Sequence, residues 1–417
     1  MNTSIIWQLA IRYLRGKGSI NTAPVLSRIS MVAIAVGSAA MITAFSVFNG
    51  LELVVKDMYK AFYPDIKVTA AKGKFFPSNK ISFNTIKQLK GVIAIAPVIE
   101  DNALAGDLDN FTGSANRQKV VAVKGIENNY FQVNNVAEFI NEGIDTLATG
   151  ANPTAILGMH IANELGTDVK NSFSRVLLYY PNPNVPNPEA DPLNAYQSLK
   201  LQPAGTFVVG DEFDDKFVLA PMAAVQELFH ATGMYSSIEL KTEGAEVNDI
   251  KKQLQVILGK GFRVETRYEQ NRTLYSMMSI EKWVMFLILF FVLIIASFNM
   301  VGALSMLVIE KQKDIAILRA LGAEATAIKK IFLLEAVLWS CTGGISGLVL
   351  GTLLCLAQQK FGLIKLNGAF MVDAWPVKLM GQDITLVMAT IIIVGLLAGW
   401  YPAVKASRLN EAGLKST

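Results

Sequence analysis

Cysteine, histidine and charged side chains are all scarce in this chain of 417 residues. Its two cysteines, Cys341 and Cys355, lie in one apolar run, so neither a disulfide framework nor a zinc knuckle is available. Two histidines, His160 and His230, are too few for a histidine-rich metal site. Charged residues make up 17% of the chain, against roughly 25% in soluble domains. This composition argues strongly against a soluble globular enzyme.

The sequence also lacks the short motifs of common enzyme chemistry. It contains no G-x-x-x-x-G-K-[ST] phosphate-binding loop, no G-x-S-x-G, no H-E-x-x-H and no C-x-x-C. The formal net charge of +4 is small and dispersed, which argues against nucleic-acid binding. We therefore expect no catalytic residue, no metal site and no cofactor in this chain. Any energy source would come from another polypeptide.

What the chain does contain is four long apolar segments, residues 29–51, 283–309, 331–359 and 384–404. Each has the roughly 20 residues that are needed to cross a bilayer as a helix. Glu335 lies just inside the third segment, where a long acid either reaches the headgroups or serves as a coupling site within the membrane. We expect the first of these for Glu335.

Lysine and arginine counts predict the orientation of these segments. Residues 1–28 hold four basic residues, 310–330 hold five and the tail 405–417 holds three, whereas the short loop 360–383 holds only three. Because short cytoplasmic loops carry the excess of positive charge, both termini and the 310–330 loop are predicted to be cytoplasmic. Residues 52–282 and 360–383 would then lie outside.

The 52–282 segment has the composition of a globular domain. Strand-like runs occur at 119–125 and 175–180, and helix-like runs follow Pro153 and Pro221. The predicted fold is therefore four transmembrane helices with a large extracytoplasmic α/β domain inserted between helices 1 and 2. We expect a stalk helix near 267–282 to run without a break into the second transmembrane helix.

Residues 1–28 allow two interpretations. Apolar and basic residues alternate there, which fits an amphipathic helix at the cytoplasmic membrane surface. An ordinary positively charged flank fits equally well.

Glycines recur at every fourth position in two of the apolar segments. They are Gly343, Gly347 and Gly351 in the third segment and Gly395 and Gly399 in the fourth. Small residues at this spacing allow two helix backbones to approach closely. We predict a tight pair between the third and fourth helices; the alternative is that these glycines are merely tolerated.

Residues 310–330 are predicted to contain a short amphipathic helix. Ile315, Leu318 and Leu321 would form one side, and Gly322 stands where such a helix would end. A short surface helix with an apolar ridge is typical of an element that docks into a partner's groove. A solvated connector is the alternative.

These segments resemble a known family. The run E-K-Q-K-D-I-A-I-L-R-A-L-G at 310–322 is similar to the coupling segment of FtsX/MacB-type permeases, the mechanotransmission class of ABC transporters. Within that class the LolC/LolE lipoprotein-releasing permeases are the most similar. Five further motifs carry this resemblance, at 10–15, 46–52, 62–66, 372–377 and 400–403, whereas the tail lacks the expected proline before Glu411 and Ala412.

The resemblance implies a role for three groups of residues. A cytoplasmic ABC ATPase subunit, which would use ATP and Mg, would engage Glu310, Lys313, Asp314, Ile315, Leu318, Arg319 and Gly322. A chamber for acyl chains, at the outer ends of the first two transmembrane helices, would be lined by Ser46, Asn49 and Asn299. A loop that recruits a periplasmic lipoprotein carrier would contain Pro181, Pro183, Pro186, Pro188 and Pro192, although a disordered surface loop fits that stretch as well.

The function implied is that of an inner-membrane permease subunit that releases acylated lipoproteins from the membrane lipid. It would pair with a second copy or with a sister permease. Its outer domain would consist of one lobe from about 60–115 with 235–270 and a second, inserted lobe. Two other functions are compatible with the same fold: a MacB-like exporter of peptides, toxins or drugs, and an FtsX-like signalling scaffold that activates a cell-wall hydrolase.

Overall fold

The computed structural model divides the chain into two compact units. The α/β unit comprises Val55–Tyr275 with Ala369–Met371, and the membrane unit comprises Met1–Val54, Ser276–Gly368 and Val372–Thr417. The structure describes residues 8, 22–107, 117–171, 173–182, 185, 194–244, 246–365 and 374–408, with side chains between 22 and 27 left undescribed.

Helices dominate the membrane unit, and shorter ones support the α/β unit. In the described residues the α-helices are α1 Thr22–Lys60, α2 Phe83–Lys87, α3 Tyr130–Val133, α4 Met159–Leu165, α5 Asp211–Asp214, α6 Met222–Leu228, α7 Val247–Leu258, α8 Arg267–Gln270, α9 Arg272–Glu310, α10 Gln312–Ala320, α11 Ala325–Phe361 and α12 Gly381–Ser407.

Four of these helices are long and apolar enough to cross a membrane. They are α1, α9, α11 and α12, and each contains one of the four predicted apolar segments. The predicted fold class, four transmembrane helices with an inserted α/β domain, is confirmed. The predicted stalk is not a single helix from residue 267, because Asn271 interrupts the helical backbone between α8 and α9.

The α/β unit is built on a mixed ten-stranded sheet. Its strand order is β12-β1-β11-β3-β4-β9-β6-β8-β5, with β7 paired to both β3 and β8, while β2 and β10 form a separate ribbon. The strands are β1 Ile66–Ala70, β2 Phe76–Pro77, β3 Val92–Asp107, β4 Gln118–Ile126, β5 Ile140–Gly143, β6 Thr154–Gly158, β7 Val176–Pro181, β8 Tyr196–Phe207, β9 Phe217–Pro221, β10 Met234–Tyr235, β11 Ser237–Thr242 and β12 Phe262–Thr266.

Of the four runs that the sequence assigned to strands or helices in the α/β domain, three are correct and one is wrong. The strand-like runs lie in β4 and β7, and the helix-like run after Pro221 is α6. The run after Pro153 begins instead with the strand β6, and only Met159–Leu165 is helical, ending at Gly166 with φ +72°. The error arose because β6 is a short buried apolar run, which periodicity does not distinguish from a helix.

A row of charged side chains crosses the buried part of the sheet. Lys124 on β4 faces Glu100 on β3, and Lys67 on β1 faces Glu239 on β11. The Lys124 ammonium lies 3.4 Å from Glu239 and 3.6 Å from Glu100, and it donates to the carbonyl of Phe62 at 3.4 Å. Asn134 donates to the other oxygen of Glu239 at 2.5 Å. The buried pair of Lys124 and Glu239 and the partly exposed Lys67 and Glu100 therefore neutralise one another.

This row shifts the ionisation of its members. Burial opposes the charged form of Glu100, but Lys124 and Lys67 outweigh that effect and lower the pKa of its carboxyl to about 2. Burial likewise opposes the charged form of Lys124, yet Glu239, Tyr130 and Glu100 hold the pKa of its ammonium well above the ordinary value.

In the membrane unit, the glycine stripe of α11 packs against α1. A Cβ atom on Gly347 would lie 2.0 Å from the carbonyl oxygen of Ala35 on α1, and one on Gly343 would lie 2.6 Å from that of Met31. Gly351 is similarly close to α1, at Ala39 and Ile42. The predicted tight pair between the third and fourth transmembrane helices is present, and Gly395 and Gly399 lie in it, but Gly343, Gly347 and Gly351 face α1 instead of α12.

A second stripe of α11 forms the contact with α12. Gly395 of α12 faces Ser340, Gly399 faces Ala336, and Gly344 of α11 faces Ile391. Residues 336, 340 and 344 form a row that is displaced by one residue from the row that contains 343 and 347. This displacement is a rotation of 100° about the helix axis. Two neighbouring stripes of small residues thus serve two different helices.

Substitution of Gly347 by valine should destabilise the membrane unit by about 1–3 kcal/mol, because the added side chain meets the backbone of α1, which cannot move aside. Gly302 in α9 is the matched control, since nothing lies within 4 Å of a Cβ added there. Thermal unfolding of the detergent-solubilised chain measures the effect. Equal shifts for G347V and G302V would contradict the close contact.

Acid should weaken the charged row in the α/β unit. The pKa of Glu100 is lower in the folded chain than in the unfolded chain, so its stabilisation is present above about pH 4.5 and is lost as the pH falls towards 2. We expect E100Q to cost about 3 kcal/mol at pH 6 and about half of that or less at pH 3. Calorimetry across this range, with the exposed Glu227→Gln as control, checks the prediction. A pH-independent cost would contradict it.

Candidate functional site

The connector helix, α10, is a separate short helix between two long ones. Helix α9 ends at Glu310, and Lys311 breaks the helical backbone with φ −92° and ψ 13°. At the other end Gly322 adopts φ +86°. The Gly322 amide donates to the backbone carbonyl of Arg319, and the Ala323 amide donates to that of Leu318. This pair of bonds is a Schellman motif, which requires the left-handed conformation that glycine adopts at no cost. The predicted helix end at Gly322 is confirmed.

One side of the connector helix faces the bundle. Ile315 is only 2% exposed and packs among apolar residues of α9, α11 and α12. Leu318 is half-buried, and a guanidinium nitrogen of the half-buried Arg319 donates to the carbonyl of Ser407 at 2.5 Å. Ile315 therefore does not belong to an exposed ridge, as the sequence had suggested, but holds the connector helix in place.

The other side forms an exposed stripe, Lys313, Ile317 and Leu321, at successive i+4 positions. Ile317 is 60% exposed and Leu321 is 80% exposed. Asp314 is partly exposed and pairs with Lys311 at 3.3 Å. Sequence periodicity alone missed Ile317, because the side of a short helix that faces outward is set by its neighbours. We call Lys313, Ile317 and Leu321 the connector stripe.

A cluster of polar side chains joins three helices of the membrane unit. Its residues are far from the connector helix in the sequence. Asn49 of α1 is fully buried; its amide donates to the Asp383 carboxylate of α12 at 2.5 Å, and its oxygen accepts from Lys282 of α9 at 2.9 Å. Lys282 also pairs with Asp383 at 3.2 Å. The sequence analysis missed Lys282 and Asp383, although each directly precedes an apolar segment.

The three residues predicted to line an acyl chamber are not brought together. Ser46 is buried beside Asn49, and its carbonyl accepts from the Lys378 amide at 2.8 Å. Asn299 is exposed on α9, 17 residues beyond Lys282, which is about 25 Å along a helix. Asn49 and Ser46 therefore form contacts within the membrane unit, whereas Asn299 lies at a different height along α9 from Lys282, the partner of Asn49.

Several other predicted features fall wholly or partly outside the described residues. Pro181 is the last residue of β7, paired with Tyr196 of β8, whereas Pro183, Pro186, Pro188 and Pro192 lie outside the described part. So do the tail from residue 409 and, apart from residue 8, the first 21 residues. No group of three or more His, Cys, Asp or Glu side chains is placed to hold a metal ion in the described ranges.

Glu335 is placed differently from the sequence prediction. Its side chain is fully buried among other helices in place of reaching outward, and neither carboxyl oxygen has a hydrogen-bond partner among the described residues.

Two known families match different parts of the chain. Residues 286–410, which contain α10, α11 and α12, match the family described as FtsX-like permease C-terminal. Residues 27–177 match the MacB-like periplasmic core domain.

Relatives match over nearly the whole length. The LolC lipoprotein-releasing system transmembrane protein of Xylella fastidiosa (strain 9a5c) is 26% identical over 97% of both chains. The LolE protein of Haemophilus influenzae is 26% identical over 100% of both chains. An uncharacterised ABC transporter permease of Methanocaldococcus jannaschii is 29% identical over 48% of this chain and 51% of its own.

Two solved structures cover about half of the chain. The extracellular domain of the ABC-type transporter YknZ from Gram-positive bacteria shares 13% identity at a TM-score of 0.33, covering 48% of this chain and 99% of its own. The periplasmic region of MacB from Actinobacillus actinomycetemcomitans shares 12% at a TM-score of 0.35, covering 54% and 98%. Because both scores are low, the assignment depends on the sequence matches and on the four long apolar helices. The chain is an ABC transporter permease of the FtsX- and MacB-like type.

Proposed function

We propose that this permease releases acylated lipoproteins from the inner membrane for transfer towards the outer membrane, driven by a separate cytoplasmic ATPase subunit. The similarity of nearly the whole chain to proteins named for lipoprotein release is the observation that carries the proposal. An acyl chain holds its protein in the bilayer by about 0.8 kcal/mol per buried CH₂, so extraction requires driven work.

The proposed orientation follows from the distribution of basic residues. Both termini and the 310–330 loop are cytoplasmic, and the α/β unit is periplasmic. The connector helix is then at the cytoplasmic surface, where a soluble ATPase subunit with its ATP and Mg can reach it.

In this scheme the connector stripe is the docking surface for the ATPase. Exposed Ile317 and Leu321 supply the apolar contact, and Lys313 supplies a charge at one end of the stripe. Ile315 and Arg319 act from the inner side, because they fix the connector helix to α11 and α12, and Leu318 is half-buried. Glu310 is the last residue of α9, Asp314 lies in the first turn of the connector helix, and Gly322 follows its end. Movement of the ATPase would thus be passed to the transmembrane helices.

The same scheme includes partners beyond the ATPase. A second permease, either another copy or a sister chain, would complete the membrane channel for the acylated substrate. A periplasmic carrier would accept the released lipoprotein, and the segment around Pro181 is the proposed point of contact.

Release by the reconstituted complex is the direct test. Proteoliposomes that contain the permease, its ATPase and a labelled tri-acylated lipoprotein should transfer the label to a soluble acceptor only when ATP and Mg are present. Transfer of no lipoprotein, together with ATP-dependent export of a peptide or with activation of a bound cell-wall hydrolase, would favour the exporter or the scaffold instead.

Substitution of Leu321 by glutamate should weaken binding of the ATPase about 30-fold or more, because an apolar anchor residue of an interface contributes about 2 kcal/mol or more. Val256→Glu is the matched control: Val256 is an 83% exposed apolar residue of the α/β unit, remote from the connector helix in sequence. Co-purification and a binding titration measure the effect. Unchanged affinity of L321E would exclude the connector stripe as the docking surface.

A further inference from the structure

The exposed face of α12 changes its chemical character along the helix. From residue 392 to residue 401, exposed side chains occur in neighbouring pairs at every fourth position, and the residues between the pairs are buried. The pairs 392–393 and 396–397 are aliphatic, whereas the pair of Trp400 and Tyr401 is aromatic. An apolar surface suited to acyl chains therefore ends at two aromatic side chains, which are typical of the level of lipid headgroups.

Four basic side chains follow the aromatic pair at this end of α11 and α12. Lys405 is exposed in the last turn of α12, and Arg408 is exposed directly after that helix. Near the start of α11, Lys330 is exposed and Lys329 is half-buried. We call these four residues the basic cluster. None of them has an acidic partner within 4 Å in the ranges that the structure describes, so those ranges supply no counter-charge for the basic cluster.

A cation–π contact joins the basic cluster to the aromatic pair. The Lys329 ammonium lies 3.8 Å from the centre of the Trp400 ring, and so links α11 to α12. The contact holds the Lys329 charge beside the lipid-facing surface of α12, where it does not reach freely into water. Arg319 brings a fifth positive charge to the same end, since its guanidinium donates to the carbonyl of Ser407 at 2.5 Å.

We propose that this end of α11 and α12 binds an anionic phospholipid of the adjoining leaflet. The basic cluster would hold the phosphate, and the aliphatic pairs of α12 would lie along an acyl chain. A phosphodiester headgroup with a net negative charge supplies the counter-charge that the described residues lack, because basic side chains at a membrane surface attract anionic lipids. A zwitterionic lipid offers the same acyl chains without that charge. In the proposed orientation this leaflet is the cytoplasmic one.

A lipid fits this face better than a protein partner does. The core of an interface between proteins is depleted of charged residues. The order from aliphatic to aromatic to basic instead follows the depth profile of one membrane leaflet. Because Arg319 ties the connector helix to the end of α12, a lipid bound here would stabilise the part of the bundle to which the connector helix is attached.

Lipid selectivity is the first measurement. Native mass spectrometry of the delipidated full chain in detergent gives the affinity for two probes, dioleoylphosphatidylglycerol and dioleoylphosphatidylcholine. We expect the anionic lipid to bind about tenfold more tightly or better, because the two probes differ in headgroup charge and share their acyl chains. Equal affinities would overturn the proposal. Glycerol phosphate, which lacks acyl chains, should not displace the lipid at equal concentration; displacement would show a site for free phosphate instead.

Removal of two exposed charges should weaken this binding selectively. In the double variant K330Q/K405Q we expect the affinity for phosphatidylglycerol to fall about tenfold or more, because each basic side chain at a headgroup contributes about fivefold. The affinity for phosphatidylcholine should stay unchanged. K360Q/K365Q is the matched control, since it removes two exposed lysines from the opposite end of α11 and the loop after it. An equal fall in both double variants would contradict a site at the basic cluster.

The assembled complex decides between a lipid and a protein at this face. We expect the complex of permease and ATPase to retain the preference for phosphatidylglycerol. If the complex binds none while the isolated chain does, a protein covers the face and the proposal fails. These measurements need neither ATP nor a lipoprotein. A negative result would therefore leave the proposed function intact, and a complex that releases no lipoprotein could still bind the lipid.

Discussion

Close backbone contact between α11 and α1 is the constraint on which the membrane unit depends. Apolar side chains gain little by leaving lipid for one another, so helices within a membrane associate through close packing. The glycine stripe of α11 supplies this packing against α1, and the adjacent stripe supplies it against α12. Helix α11 is thereby fixed on two sides. Helix α11 also positions the connector helix, because Ile315 packs into the apolar cluster that contains Phe332 of α11.

Polar contacts are few in this unit, and they stand mainly where helices end. Asn49, Lys282 and Asp383 join α1, α9 and α12 in one cluster, and Arg319 ties the connector helix to the end of α12. Polar groups are cheaper near helix ends, where water and headgroups are within reach. Glu335 departs from that rule, because it is fully buried and its carboxyl oxygens have no hydrogen-bond partner among the described residues.

The lengths of α1 and α9 are equally informative. Each has 39 residues, or about 58 Å at 1.5 Å per residue, whereas a bilayer core needs only about 30 Å. Both helices therefore continue well beyond the hydrocarbon region. In the α/β unit the charged row around Lys124 gives the long sheet a specific register, because each buried charge needs its partner on the neighbouring strand.

The sequence alone determined the four membrane helices, the inserted α/β domain, the family and the end of the connector helix at Gly322. These follow from local properties: apolar length, strand and turn composition, and a residue that adopts positive φ. Only the tertiary structure decided which helix the glycines of α11 contact, which side of the connector helix is exposed, and that Glu335 is buried while Asn299 is not. A stripe of small or apolar residues specifies a surface for contact, but its partner depends on how all the helices pack together, which no local pattern contains.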